Sequence, residues 1–252
     1  MILRALGIAR GDVVAVVGAG GKTTLVYRLA AEARACGLSV LVTTTTHMGT
    51  LDERVTGPIL LEEDGDARQA LEGALAREGR ATLLGRRLRP DKLEGVPPAR
   101  VDALASCADL VVVEADGARG RSLKVPAEHE PVIPCSTTLV IVVCALDVLG
   151  SALDEERVHR VELVRAATGV EPGEAVDEDC VASALRHAEG YPSRVPRRAR
   201  AGVFFNKVED DRALAAAARL AARLIPPYRW VAAGSARAGE VRRWPPLRPF
   251  DR

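Results

Sequence analysis

The 252-residue chain contains few aromatic side chains: two Trp, three Tyr and three Phe. Proteins that bind single-stranded nucleic acid stack bases on such rings, so we expect no nucleic-acid partner, although residues 191–252 are richer in basic than in acidic side chains. Long apolar runs are also missing. The longest, at 139–146, is far too short to cross a bilayer, and the N-terminus shows no secretory-signal pattern. We therefore expect no membrane partner.

Cysteine pairs with a recognisable spacing are absent too. The five cysteines form no CxxC pair and no zinc-ligand spacing. They are Cys36, Cys107, Cys135, Cys144 and Cys180. This pattern favours a reducing, cytoplasmic setting. The thiols are expected to fill the core, and a reactive free thiol is the alternative.

Lysine is scarce, with four among the 35 basic residues. A chain that uses arginine almost everywhere retains lysine where a compact ammonium group is required. Lys22, Lys124 and Lys207 fall in the motifs described below, whereas Lys92 lies in none of them.

A phosphate-binding pattern lies near the start of the chain. The apolar residues 13–17 are followed by Gly18, Ala19, Gly20, Gly21, Lys22, Thr23 and Thr24. Glycines let the backbone approach a phosphate closely, and the first N–H groups of a helix bind its charge. The lysine can reach the β- and γ-phosphates and act in catalysis, and a threonine hydroxyl can ligate Mg²⁺. Because Val16 stands where a full phosphate loop has its first glycine, the pattern is closer to the shorter loop of Mur-type peptide ligases.

Short apolar segments alternate with helical patterns along the whole chain. Strands are predicted at 13–17, 38–43, 81–84, 110–114, 138–144, 203–205 and 229–233, and helices at 23–36, 64–78, 99–107, 155–168, 177–189 and 211–225. Residues 85–98, 190–200 and 242–252 are predicted to be irregular. The alternation predicts a three-layer α/β fold of the P-loop NTPase type, with a mainly parallel sheet flanked by helices. We expect one domain over residues 1–252, with a helical insertion at 151–200.

A second motif begins with the apolar residues 110–113 and ends in Glu114. An acid at the end of a buried strand can hold Mg²⁺ directly or through water, so Glu114 and Thr23 form the predicted metal site. Gly117 follows three residues later, where a backbone N–H can meet the γ-phosphate. Asp116 is predicted either to position the attacking water or to contact the metal.

Three cations follow on the same loop: Arg119, Arg121 and Lys124. Arg119 is predicted to be catalytic. Together the three could hold a phosphate-bearing cofactor or an acidic patch on a client protein, or they could form a solvated turn. His129 is a candidate for catalysis or for a partner contact.

A base-recognition pattern occurs in the last third of the chain. The predicted strand at 203–205 is followed by Asn206, Lys207 and Glu209. GTPases have Asn-Lys-x-Asp here, where the carboxylate accepts hydrogen bonds from guanine. One helix and one strand later come Ser235 and Ala236, at the place of the turn whose backbone N–H meets guanine O6. The order of these motifs favours GTP over ATP, although glutamate replaces the usual aspartate.

The hydroxyl run at 43–46, with His47 after it, ends another predicted strand. One of these hydroxyls could face the γ-phosphate or Mg²⁺. The alternative is a helix cap or a turn.

Five segments together resemble the YqeC-type accessory proteins of selenium-dependent hydroxylases. They read VVGAGGKTT, VLVTTTT, VVVEADGARGRSLKVPAEHEPVIP, VHR and FFNKVED. The resemblance spans roughly residues 13–236 and implies a nucleotide-binding protein that helps to mature molybdenum hydroxylases carrying a molybdopterin cofactor. The chain departs from the family pattern at Arg119, where lysine is usual, and at Glu209, where aspartate is common.

Three functions therefore stay open at the level of sequence. The first is a Mg²⁺-dependent NTPase that acts as a maturation switch, in analogy with metallochaperone GTPases. The second is a small-molecule kinase or ATP-dependent ligase. The third is a module that binds nucleotide or cofactor without turnover.

Overall fold

In the computed structural model of the chain, which describes residues 1–48, 57–89 and 92–247, a mainly parallel sheet is covered by helices on both faces. The strands are β1 Val13–Gly18, β2 Val40–Thr44, β3 His47–Met48, β4 Ile59–Leu61, β5 Arg80–Leu84, β6 Arg87–Arg89, β7 Lys92–Glu94, β8 Leu110–Glu114, β9 Leu123–Lys124, β10 Leu139–Ala145, β11 Val158–His159, β12 Arg200–Asn206, β13 Trp230–Ser235 and β14 Glu240–Trp244. The helices are α1 Ile2–Ala5, α2 Lys22–Ala35, α3 Ala67–Glu78, α4 Pro98–Leu104, α5 Val161–Thr168, α6 Glu178–Arg186, α7 Tyr191–Arg194 and α8 Asp211–Leu224.

The large sheet has nine strands in the order β14-β13-β12-β10-β1-β8-β2-β5-β4. Neighbouring strands are parallel except for β14, which runs antiparallel to β13. Strand β1 lies between β8 and β10. The carboxyl ends of the parallel strands therefore meet at one edge, which is where ligands bind in such sheets.

Alternate residues of the central strands belong to two separate cores. Val14 and Val16 pack on the side of α1 and α2. Ala15 and Val17 pack on the opposite side, where α3 to α6 and α8 contribute their apolar faces. β-Branched residues that are buried on both faces are typical of parallel sheets. These two cores confirm the predicted three-layer α/β architecture.

Four local predictions are corrected by the structure. The segment predicted to be irregular at 85–98 contains the antiparallel pair β6–β7 and the start of α4. The predicted helix at 155–168 begins only at Val161, after the short strand β11. The predicted loop at 190–200 contains α7, whose Tyr191 is buried. The C-terminal segment contains β14, and residues 248–252 of that prediction lie outside the described residues.

Predictions for the cysteines are only partly right. Cys144 and Cys180 are buried, and burial raises the pKa of both thiols. Cys36 and Cys135 are exposed, so the expectation that they fill the core is wrong. Within the described ranges, no helix combines the length and the apolar character that a membrane crossing needs.

Candidate functional site

The loop between β1 and α2 has the backbone conformation of a phosphate cradle. Gly18, Gly20 and Gly21 all have positive φ angles, of 98°, 87° and 107°. A Cβ atom on Gly21 would lie 2.2 Å from Asn206 Nδ2, and one on Gly18 would lie 2.1 Å from the carbonyl oxygen of Val143. These glycines are therefore required both by conformation and by close approach. The next residue begins α2, so the first N–H groups of the helix point into the loop.

Lys22 is the first residue of α2, and its side chain is buried in the loop. Its Nζ donates a hydrogen bond to the carbonyl oxygen of Gly18 at 2.8 Å. It lies 3.2 Å from Asp116 Oδ1 and 3.9 Å from Glu114 Oε1. The ammonium group is thus held over the loop by one carbonyl and two carboxylates.

The two predicted metal ligands contact each other. Thr23 Oγ1 donates to Glu114 Oε2 at 2.9 Å, because β1 pairs with β8 and brings Glu114 opposite Val16. Burial raises the pKa of Glu114. The positive charge of Lys22 and the hydrogen bond from Thr23 oppose that effect. A hydroxyl and a carboxylate are hard oxygen donors of the kind that Mg²⁺ accepts alongside water and phosphate oxygens. The donor set fits Mg²⁺.

Asp116 is fully buried and anchors the phosphate loop. Its Oδ2 accepts hydrogen bonds from the backbone N–H of Gly18 at 3.0 Å and from the Tyr191 hydroxyl at 3.2 Å. Lys124 Nζ lies 3.2 Å from the same oxygen. Asp116 Oδ1 lies at ion-pair distance from Lys22 but accepts no hydrogen bond. Contact of Asp116 with an attacking water or a metal stays a prediction.

The predicted cationic loop does not present three free cations. Lys124 is buried, and its Nζ donates to the carbonyl oxygen of Gly117 at 2.7 Å and to Glu130 Oε2 at 2.8 Å. The idea that Lys124 meets a client or an external anion is therefore wrong. Arg119 is exposed in a turn with a φ of 48°, and its catalytic role stays a prediction. Arg121 is half-buried.

Glu130 connects Lys124 to Arg160. Both terminal nitrogens of Arg160 contact the carboxylate of Glu130, at 2.5 Å and 3.4 Å. Burial disfavours the charged form, but the hydrogen bonds from Lys124 and Arg160 lower the pKa of Glu130 to about 2. Burial lowers the pKa of the neighbouring His159, and the charges of Lys124 and Arg160 lower it further.

We expect the depressed pKa of Glu130 to make folding stability depend on pH. The carboxylate stabilises the folded state above about pH 4.5, and this contribution is lost as pH falls toward about 2. At neutral pH it amounts to about 3 kcal/mol. In urea unfolding, Glu130→Gln should therefore be less stable than the parent at pH 7, with a difference that shrinks below pH 4. A difference that is constant across this range would contradict the assignment.

Asn206 links the phosphate loop to the predicted base-recognition turn. Its Nδ2 donates to the carbonyl oxygen of Gly20 at 2.8 Å, and its Oδ1 accepts from the backbone N–H of Ala236 at 2.9 Å. The side chain is buried at the end of β12. Asn206 thus joins Gly20, 186 residues before it, to Ala236, 30 residues after it, at one edge of the sheet.

The other members of the base-recognition pattern have protein partners. Lys207, with a φ of 56°, donates from Nζ to Asp147 Oδ2 at 2.7 Å. Glu209 Oε1 lies 3.4 Å from the Ser235 hydroxyl. The adjacent Asp210 caps α8 by accepting a hydrogen bond from the N–H of Ala213.

The hydroxyl run after β2 is used mainly for internal hydrogen bonds. Thr43, Thr44 and Thr45 donate to the carbonyl oxygens of Leu83, Glu114 and Val132. These bonds favour the interpretation of this segment as a structural turn over one in which its hydroxyls contact phosphate. His129 is exposed in a turn between Glu128 and Glu130, and its role stays a prediction.

The structure thus groups the predicted residues around the carboxyl ends of β1, β8, β12 and β13. Those in or beside the phosphate loop are Gly18, Ala19, Gly20, Gly21, Lys22, Thr23, Glu114, Asp116 and Asn206. Thr24 is exposed on α2, and Gly117 faces open space on the side where a Cβ would lie. Sequence reasoning missed Glu130, Asp147, Arg160 and Tyr191. The scarcity of lysine singled out Lys124 and Lys207, whose side chains bind Glu130 and Asp147. No sequence signal pointed to Arg160 or Tyr191.

A cavity of about 710 Å³ opens at the same edge of the sheet, next to the end of β2. It is lined by Thr45, Thr46, His47, Glu62, Glu63, Gly85, Arg86, Glu94, Gly95, Val96, Pro97 and Arg100. The backbone N–H of Thr45 donates to the carbonyl oxygen of Glu114 at 3.2 Å. The wall is built around Gly95, because a Cβ there would lie 2.2 Å from the carbonyl oxygen of Thr44. A volume of this size is typical of small-molecule sites.

Among the residues that the structure describes, no cluster of three or more His, Cys, Asp or Glu side chains forms a metal site. Thr23, Glu114 and Asp116 all place oxygen donors beside the phosphate loop, and Thr23 and Glu114 contact each other. Mg²⁺ is commonly bound by only one or two protein oxygens together with substrate phosphates.

Comparison with known proteins places the chain in a family. The family model described as YqeC protein matches residues 14–162. A protein of Escherichia coli (strain K12), described as uncharacterized protein YqeC, is 35% identical over 201 residues, which cover 79% of this chain and 77% of the relative. The crystal structure of the cell division protein FtsY from Thermotoga maritima aligns over 95% of this chain and 66% of that one, with 22% identity and a TM-score of 0.38. The match to the family model and the 35% identity to the relative confirm the expected resemblance. The chain belongs to the YqeC family.

Proposed function

We propose that this protein is a Mg²⁺-dependent nucleoside triphosphatase. The observation that carries the proposal is the 2.9 Å contact between Thr23 and Glu114, made directly beside the Nζ of Lys22. The glycine loop and the start of α2 would bind the β- and γ-phosphates. Thr23 and Glu114 would hold Mg²⁺, whose chemistry there is to neutralise charge on the phosphates.

The loop after Glu114 would complete the phosphate site. Gly117 would offer its backbone N–H to the γ-phosphate, and its carbonyl oxygen accepts a hydrogen bond from Lys124. A peptide that is held at its carbonyl presents the neighbouring N–H groups in a defined direction. This supports a site that distinguishes triphosphate from diphosphate.

We propose that the bound nucleotide is GTP rather than ATP. Asn206 supports a base site at this edge of the sheet, because it joins the phosphate loop to the turn at Ser235 and Ala236. Glu209 lies beside that turn, so its carboxylate is available to accept from the N1–H and the 2-amino group of guanine. The hydrogen bond between Lys207 and Asp147 fixes the lysine at the same edge.

Glu209→Ala should reduce the preference for GTP over ATP. Glu209 is exposed in the free chain. A carboxylate that pairs with two donors of a bound base, and is covered by it, discriminates by about 1–3 kcal/mol, or roughly 5- to 150-fold in affinity. Competition calorimetry with both nucleotides measures the ratio. Asp211→Ala is the matched control, because this exposed acid lies two residues further on at the start of α8. Equal affinities for GTP and ATP in the parent protein would exclude guanine recognition.

The role proposed for the nucleotide cycle comes from the family resemblance. We propose that the protein acts in the cytoplasm as an accessory factor for selenium-dependent molybdenum hydroxylases. Its partners would be a client hydroxylase or a molybdopterin-type cofactor. The nucleotide state would then control docking to the client or release of the cofactor.

We also propose that the chain forms one P-loop NTPase-like domain, with residues 151–200 as a helical insertion. Support comes from the sheet itself. Strands β10 and β12, which flank the insertion in sequence, are adjacent and parallel, with Leu139 opposite Arg200.

The cavity next to the end of β2 favours a second candidate function, transfer of a phosphoryl group to a small molecule. Its wall residue Thr45 donates to the main-chain carbonyl oxygen of Glu114, at the end of the strand that carries the proposed Mg²⁺ ligand. An acceptor bound there would lie next to the transferred group. The products separate the two candidates, because an NTPase releases free phosphate whereas a kinase or ligase yields a phosphorylated or ligated acceptor.

A further inference from the structure

A charge-balanced cluster lies behind the phosphate loop. It consists of three cations and three carboxylates, which are Lys22, Lys124, Arg160, Glu114, Asp116 and Glu130. Lys22, Lys124 and Asp116 are almost completely buried. Charges in such surroundings are weakly screened. A change at one member therefore acts on its neighbours.

Asp116 is shared between two lysines. Lys22 lies 3.2 Å from Oδ1, and Lys124 lies 3.2 Å from Oδ2. Lys22 is also the lysine that would bind the nucleotide phosphates. The carboxylate of Asp116 and a phosphate are therefore alternative partners for the same ammonium group.

Lys124 is in turn shared between two carboxylates. Glu130 Oε2 lies 2.8 Å from its Nζ, and Asp116 Oδ2 lies 3.2 Å from the same atom. Arg160 also binds Glu130. With a pKa of about 2, Glu130 is ionised at neutral pH and competes with Asp116 for the charge of Lys124.

Tyr191 adds a neutral donor to Asp116. Its hydroxyl lies 3.2 Å from Oδ2, and burial, followed by the charge of Asp116, raises the pKa of the phenol well above its usual value. The hydroxyl therefore keeps its proton. Tyr191 and Arg160 both come from residues 151–200, so that segment takes part directly in the charge balance behind the phosphate loop.

We propose that Lys124 is a positioning residue of the phosphate site, which neutralises Asp116 and so leaves Lys22 available for the nucleotide. This inference rests on the proposed nucleotide binding. Lys124 itself does not contact the nucleotide, because its donors are directed to Asp116, Gly117 and Glu130. It acts through Asp116 and Lys22.

The proposal predicts effects of opposite sign for two neighbours that are in direct contact. Without Lys124, Asp116 has Lys22 as its remaining cation, and an uncompensated negative charge lies close to the phosphates. Without the charge of Glu130, Lys124 pairs with Asp116 as its one remaining carboxylate. Lys22 then becomes more available for the nucleotide phosphates. A purely structural role would instead weaken binding in both variants.

The test measures the affinities for GTP and for ATP, each with Mg²⁺, by calorimetry at pH 7.5. Lys124→Met should weaken binding of the preferred nucleotide by about tenfold or more. Glu130→Gln should bind at least as tightly as the parent. Thermal unfolding of each variant confirms that the measured protein is folded. The proposal is wrong if Lys124→Met binds like the parent, or if both variants weaken binding to the same extent.

A second pair of variants decides the matter even if Lys124→Met does not fold. Tyr191→Phe removes the donor to Asp116 and should weaken binding by about two- to fivefold. Tyr228→Phe is the matched control, because this equally buried phenol donates to the carbonyl oxygen of Leu185 and not to Asp116. Equal affinities of the two phenylalanine variants would overturn the proposal.

Failure of the underlying function gives a different result. If the parent protein binds neither GTP nor ATP, the proposed function itself is wrong. If the parent binds and Lys22→Ala does not, but all four variants above match the parent, only the role of Lys124 is rejected.

Discussion

Replacing Lys22 with alanine should abolish nucleotide binding and leave the fold intact. The ammonium group lies at the start of α2, over a loop whose three glycines have positive φ angles. In that position it contributes charge-assisted hydrogen bonds to the phosphates. Its loss should lower the affinity by about a hundredfold or more, as measured by calorimetry with GTP and Mg²⁺.

The fold should survive this change because the partners of Lys22 have other contacts. Asp116 still accepts from Gly18 and Tyr191 and still faces Lys124. Glu114 keeps its hydrogen bond from Thr23. Loss of the Lys22 charge removes one of the two effects that oppose the rise in the pKa of Glu114 caused by burial.

Lys92→Ala is the matched control for Lys22→Ala. Lys92 is another of the four lysines, and it lies on β7 in the small three-stranded sheet. This variant should bind nucleotide like the parent. Unchanged affinity in Lys22→Ala, with the fold intact by circular dichroism, would remove the basis for nucleotide binding at this loop.

The central strands could be predicted closely from the sequence. The strand at 110–114 agrees with β8, Leu110–Glu114, and residues 13–17 agree with β1 to within one residue. Both are short runs of β-branched residues, and burial on both faces leaves few alternatives for such runs. The helix at 211–225 agrees with α8, Asp211–Leu224, because Asp210 gives a clear N-cap signal.

The elements that were missed depend on contacts that are distant in sequence. Strand β14 forms by pairing with β13, and its sequence, followed by two prolines, carries no apolar alternation. The predicted helix at 155–168 starts late because Asp154 accepts hydrogen bonds from the N–H groups of Glu156 and Arg157. Such local side-chain bonds compete with the helix.

The candidate site was predictable where one short motif contains the chemistry. The glycines, Lys22 and Thr23 are consecutive, and Glu114 ends a predicted strand of a parallel sheet, whose carboxyl ends meet at one edge. That this strand lies next to β1 is seen only in the structure. The partners of Asp116 were not predictable in the same way. Tyr191 lies 75 residues away in a segment that resembles a loop, and only the folded chain brings its hydroxyl to Asp116.

Glu114→Gln should retain nucleotide binding and lose Mg²⁺-dependent turnover. Glutamine has the same shape as glutamate, so it can keep the contact with Thr23, but it lacks the negative charge that favours a divalent cation. Turnover should fall by about a hundredfold or more. Nucleotide affinity without Mg²⁺ should be kept or increased, because one negative charge is removed from beside Lys22.

Glu32→Gln is the matched control, because Glu32 is another buried glutamate whose carboxylate accepts from the N–H of Leu3 on α1, away from the loop. Phosphate release is measured across a Mg²⁺ titration, and phosphorylated small molecules are assayed in the same samples. Turnover of Glu114→Gln at the rate of the parent would show that the metal-holding acid lies elsewhere. Asp116 is the next candidate in that case, because it is the other carboxylate that faces Lys22. Its four contacts inside the protein would then have to rearrange when nucleotide binds, which makes Asp116→Asn the deciding variant.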